Sequence, residues 1–238
     1  MQVTAQDVAA AHPAIASHIQ RTPTIAAPRL SEMLGVRLFL KLENLQFTGS
    51  FKDRGSCLKL QRLAQQPEPP AGVVAASAGN HAQGVAFHAR RLGMKALIVM
   101  PLTTPFSKIE RTEGLGAEVV LRGESVAEST VHAKALASER GFAFVHPYDD
   151  ALIVAGQGTA AIEMLADQPH LDTLVIPVGG GGLCAGMALW AKHVNPAIRV
   201  FGVQTSMCPS MHARIKGLPT PALQTHTLAD GIAVKTPG

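Results

Sequence analysis

Short apolar runs alternate with amphipathic stretches along most of this chain, and that alternation restricts its fold more than any other feature. Strand-like runs lie at 37–42, 73–77, 96–100, 117–121, 142–145, 174–178 and 199–204. Between most of them the apolar spacing switches to the helical period, at 53–65, 80–92, 107–115, 125–140, 157–166 and 183–193. Strands separated by helices pair in parallel through crossover connections. The pattern therefore predicts an α/β fold of open, mostly parallel sheets flanked by helices. A further helical pattern covers 5–20, and Pro13 predicts a kink or a split within it. The proline-rich stretch 65–72 reads as a surface loop.

Composition narrows the class. Of 238 residues, 47% are hydrophobic and 16% charged, enough for a sizeable core and one or two domains. No apolar run approaches the roughly 18 to 20 residues of a membrane span. Residues 1–19 lack the basic start and apolar stretch of a secretory signal, so a cytoplasmic protein is expected. Cys57, Cys184 and Cys208 are odd in number and far apart, which predicts free thiols rather than a disulfide framework or a zinc cluster. The net charge of +4 is scattered, and aromatic residues make up only 4%, which argues against nucleic acid and leaves a mild attraction for anions.

Three segments carry chemistry. Gly179-Gly180-Gly181-Gly182 follows the strand at 174–178 and opens a helix at Leu183. Such a turn gathers backbone N–H groups at a helix N-terminus, a setting for phosphate. The run also fits a relaxed dinucleotide pattern, but Val203-Gln204-Thr205-Ser206 holds no acid for a ribose, so a phosphomonoester fits better. Ser77-Ala78-Gly79-Asn80-His81 sits at another strand-to-helix junction and suits a substrate carboxylate, with Asn80 offering an amide to a ring hydroxyl. Ser77 is equally suited to cap the helix, and His81 to a structural bond. Lys52, in Thr48-Gly49-Ser50-Phe51-Lys52-Asp53-Arg54-Gly55, is the candidate amine nucleophile beside an aromatic wall. Lys41, Lys59, Asp53 and Arg54 are expected to pair with solvent or with each other. Together the three segments read as a site for pyridoxal 5′-phosphate (PLP).

Leu42-Glu43-Asn44-Leu45-Gln46-Phe47-Thr48-Gly49-Ser50-Phe51-Lys52, the Ser77 segment, His146-Pro147-Tyr148-Asp149-Asp150, Ala155-Gly156-Gln157-Gly158-Thr159 and the glycine run resemble the PLP-dependent threonine/serine dehydratases, or threonine ammonia-lyases. The resemblance extends to Leu228-Ala229-Asp230-Gly231-Ile232-Ala233-Val234-Lys235. It implies the two-domain tryptophan-synthase-β-like fold, with a smaller α/β domain at 50–148 inserted into a larger one formed by 1–49 and 149–238. It implies that Lys52 forms the Schiff base and later removes the α-proton of the substrate. Phe51 would flank the ring, and Asn80 would bond its 3′-oxygen. Gly179, Gly180, Gly181, Gly182 and Leu183 would hold the phosphate, with Gly231 also at the cofactor. Ser77, Ala78, Gly79, Asn80, His81 and Tyr148 would face a small amino-acid substrate.

The implied reaction is β-elimination from L-threonine or L-serine to a 2-oxo acid and ammonia, by a homo-oligomer. Serine racemases of the family resemble one another in a second serine where this chain has Ala78, so dehydration is expected over racemisation. Their cation site would fall at Gln204, which is no carboxylate, so no metal is expected. A serine racemase, a hydroxyaspartate dehydratase, a β-replacement enzyme and a non-catalytic PLP-binding remnant stay open. The family continues beyond the Asp230–Lys235 stretch, so the chain is expected to be a fragment or a truncated variant.

Overall fold

In the computed structural model, which describes residues 2–219, 223 and 227–238, helix α1 (Ala5–Ile15) starts at a capping box. Thr4 Oγ1 accepts from the Asp7 N–H, and the Asp7 carboxylate accepts from the Thr4 N–H. Pro13 lies in the last turn and the helix stops at Ile15. The pattern at 5–20 is thus one short helix, neither split nor extended to Gln20. Strands β1 (Thr24–Ala26) and β2 (Phe39–Lys41) form an antiparallel hairpin around α2 (Pro28–Leu34). Both β1 and α2 are too short for periodicity to reveal.

The central sheet is parallel, in the order β5-β4-β3-β6, with β3 (Gly72–Ala76), β4 (Lys95–Met100), β5 (Glu118–Leu121) and β6 (Ala143–Phe144). Its strands alternate sides, as the two-residue repeat of a strand requires. Val73, Ala75, Ile98 and Met100 pack with Leu60 of α3 (Lys52–Ala64) and Val85 and Ala86 of α4 (Asn80–Arg91). Val74, Ala76, Leu97 and Val99 pack on the other side with Ala133 and Ala137 of α6 (Val126–Arg140). Helix α5 (Phe106–Gly114) joins β4 to β5.

A second parallel pair, β7 (Thr173–Pro177) and β8 (Arg199–Val203), packs Leu174 and Ile176 against α7 (Ala151–Asp167) and α8 (Gly182–Val194). Helix α9 (Ser210–Lys216) follows. Asp150 caps α7 through the Leu152 and Ile153 N–H groups, so the helix begins six residues before the apolar pattern at 157–166. Two glycine contacts fix its neighbours. A Cβ on Gly156 would lie 2.7 Å from Gly55 Cα of α3, and one on Gly186 of α8 would lie 2.8 Å from the Gly158 N. These close approaches press α3 and α8 directly against α7.

The charges beside Lys52 do not pair with solvent or each other. Arg54 is fully buried and bonds Glu43 and Glu163, 11 and 109 residues away. Asp53 takes the Thr48 N–H and hydroxyl, Lys41 bonds Glu163, and Lys59 reaches Asp150. Sequence alone gives no sight of such distant partners. Among the described residues, no helix is long and apolar enough to cross a membrane.

Candidate active site

Lys52 opens α3, directly after Phe51 at its N-cap. Its backbone is held from both sides: its N–H donates to Ser50 Oγ at 3.3 Å, and the next residue, Asp53, is clamped by Thr48. Gly49 supplies the positive φ of 77° that turns the chain into this position. The amine sits 5.4 Å from the Phe51 ring centroid and donates to the Pro147 carbonyl at 2.5 Å. That carbonyl is its bonded partner, and it has no ion pair with a carboxylate among the described residues. Burial without a counter-ion pulls its pKa from 10.5 to about 8.

The sign of this shift gives a prediction. The neutral amine, which attacks carbonyls, accumulates above pH 8 rather than above 10.5. The rate at which the cofactor-free protein forms an imine with a simple aldehyde should inflect near pH 8; an inflection near 10 would contradict the buried setting. The folded state also binds fewer protons than the unfolded chain between these two values. This group's contribution to stability therefore rises with pH across that window.

Segment Val145–Tyr148 joins the parts. The Val145 carbonyl lies 3.0 Å from His81 Nε2, and the Pro147 carbonyl accepts from Lys52. Tyr148 packs on the glycine run. A Cβ on Gly180 would fall 2.2 Å from the Tyr148 ring, and one on Gly182 2.7 Å from the Tyr148 carbonyl oxygen. Gly179 faces Val234 and Ile232, and Gly181 has a φ of 102°. Each glycine therefore has its own reason to lack a side chain, which a plain turn does not demand. Gly181 caps α8 with no side-chain acceptor. The first N–H groups of that helix stay available to an anion, and its dipole favours one. Leu183 packs its side chain into the core beside Leu174 and contributes only its backbone.

At the other junction, Ser77 does not cap α4; Gly79 does, and Ser77 Oγ accepts the Gly79 N–H at 3.2 Å. Around Gly79 a Cβ would meet nothing within 4 Å, so this helix start, which has no side-chain cap, opens onto free space. Asn80 is exposed there, and Ala78 is partly buried beside it. His81 is buried and half satisfied: Nε2 has the Val145 carbonyl, while Nδ1 has no partner among the described residues. Burial, then the nearby Lys52 charge, pushes its pKa down to about 3, so it is neutral. Tyr148 donates its hydroxyl to the Thr236 carbonyl at 2.6 Å and stands edge-on to His146. Gly231 lies exposed in a short turn, and its neighbours Ile232 and Val234, not Gly231, touch the glycine run. The Pro147 carbonyl and the 232–234 contacts cannot be foreseen from sequence, because backbone groups carry no residue signature.

A buried amine without a counter-ion, next to a glycine-lined helix start that no side chain caps, fits an aldehyde that carries a phosphate. The family described as pyridoxal-phosphate dependent enzyme matches residues 15–238. The chain belongs to this family. It is 45% identical to the L-threonine ammonia-lyase of Thermotoga maritima over 99% of its own length, and spans 59% of that enzyme. Among solved structures, a threonine deaminase from T.th. is 42% identical with a TM-score of 0.88, over 98% of this chain and 76% of that one. A pyridoxal 5′-phosphate-dependent aspartate racemase superposes with a TM-score of 0.93 at 34% identity, over 100% of this chain and 74% of that one. The cofactor of this PLP-dependent chain is therefore pyridoxal phosphate.

Proposed function

We propose that this PLP-dependent enzyme eliminates water from L-threonine, and from L-serine, to yield a 2-oxo acid and ammonia. One observation carries the preference for elimination: Ala78, next to Ser77 in the proposed substrate segment, has no proton to give. Burial lowers the Lys52 pKa to about 8, that of His81 to about 3, and that of His146 below its usual range. Racemisation needs a second proton-bearing group, and Ala78 offers none. The threonine ammonia-lyase likeness supports the same reading, and the aspartate racemase likeness supports the rival.

In this reading, the first N–H groups of α8 and the backbone of Gly179, Gly180, Gly181, Gly182 and Leu183 hold the phosphate. When bound, PLP supplies an electron sink for the charge left on the substrate α-carbon. Lys52, as the free amine, would take the α-proton of the substrate. Asn80 would offer its amide to the ring oxygen, and Phe51 would stand beside the ring. The start of α4, from Ser77 to His81, receives the substrate carboxylate, and Tyr148 borders the same space. Gly231 belongs to the turn that leads into the 232–234 contacts. The division into 1–49 with 149–238 and 50–148, a homo-oligomer and a cytoplasmic setting are parts of the same proposal. The free thiols Cys57, Cys184 and Cys208 agree with a reducing compartment.

Incubation with L-threonine should release 2-oxobutanoate, and L-serine should release pyruvate in excess of D-serine. D-serine formed faster than pyruvate would favour the racemase. A cofactor band with no keto acid would favour a non-catalytic PLP-binding protein.

A further inference from the structure

We infer that the buried Arg54–Glu163 pair is a positioning device for Lys52, seating the start of α3 on α7 so that the amine is presented in one orientation. The inference rests on Lys52 being the cofactor lysine. Arg54 lies two residues beyond it, in the first turn of the same helix. Its guanidinium is closed in on two sides. Nε and Nη2 donate to Glu43 at 2.7 Å each, and Nη1 and Nη2 donate to Glu163 at 2.8 Å each. A fifth bond runs to Thr159 Oγ1 at 3.1 Å. Lys41 completes the group by donating to Glu163 at 2.5 Å, so two cations face two carboxylates with no net charge.

Every N–H of a guanidinium can be matched in this way only with the helix at one rotation and one height. The neighbouring helix contact works in the same sense, since Gly55 and Gly156 leave no room for α3 to slide across α7. Desolvation is overcome on both partners: the carboxylates raise the Arg54 pKa, and Arg54 with Lys41 lowers that of Glu163. The pair therefore stays charged near neutrality. A buried ion pair is a poor source of stability compared with apolar packing, and orientation is the use to which such pairs are better suited. Its place, two residues from a reactive amine, matches that use.

The test compares imine formation between cofactor-free protein and PLP, in which the Lys52 amine and the aldehyde join with loss of water. The rate is followed by absorbance at saturating PLP, so that phosphate anchoring no longer limits it. Glu163→Gln should slow this step about tenfold or more, because one tenfold corresponds to only ~1.4 kcal/mol of misplacement. Glu43→Gln, whose side chain is partly exposed and less disruptive, should slow it about threefold. Leu165→Ala is the control: it sits on the same helix, packs away from α3 and lowers stability without touching Arg54. It should keep the wild-type rate at a comparable loss of Tm. Wild-type rates in both glutamate variants, or a Leu165→Ala rate reduced in proportion to Tm, would overturn the inference. Absence of any imine band in the wild-type protein would instead overturn the assignment of Lys52 itself.

Discussion

If Lys52 carries the cofactor as proposed, Lys52→Ala should abolish the long-wavelength absorption of bound PLP and lower keto-acid release by roughly 10³-fold or more. Two losses combine. In the proposed reaction the covalent link to the cofactor would disappear, and so would the base at the α-carbon, which alone accounts for ~10²–10⁴-fold in comparable reactions. His81 is a poor substitute, since burial, the first cause of its lowered pKa, persists in the variant. The fold should survive, because the amine has a single bond to the Pro147 carbonyl and no ion pair among the described residues. Absorbance spectra and keto-acid assays on protein with an unchanged circular dichroism spectrum check this. A retained absorption band would mean that another lysine carries the cofactor.

Gly180→Ala is the second large effect. Its Cβ would lie 2.2 to 2.4 Å from three carbons of the Tyr148 ring. The ring cannot yield freely, since its hydroxyl is tied to Thr236 and its edge meets His146. Overpacking of this kind costs about 1–3 kcal/mol. Displacement falls on the loop that would hold the phosphate, so PLP affinity should drop by at least ~10-fold, equivalent to ~1.4 kcal/mol. Gly79→Ala makes the contrast. Its Cβ meets nothing within 4 Å, so PLP binding should be kept while the substrate KM rises. Titration of both variants with PLP decides the matter; equal affinities would show that the glycine run does not hold the cofactor.

The α/β alternation is legible in the sequence because buried parallel strands are continuous apolar runs, as β3 and β4 are. The glycine run and Lys52 stand out in the sequence because phosphate binding and imine chemistry would restrict residue types sharply. Helix α7 is only half visible: Gly156 and Gly158 look like breaks in sequence, yet they are where α3 and α8 press against it. Arg54 escapes the sequence for a different reason. A charged residue is exposed by default, and only a partner 109 residues away reverses that default. The Val145 and Pro147 carbonyls, around which the site closes, are backbone atoms that no pattern reports.

Borohydride reduction of the PLP-loaded protein, followed by peptide mass mapping, tests the central claim most directly. The account predicts one pyridoxyl-phosphate adduct per chain, on the peptide that contains Lys52. An adduct on Lys41, Lys59 or another lysine, or none at all, would contradict it.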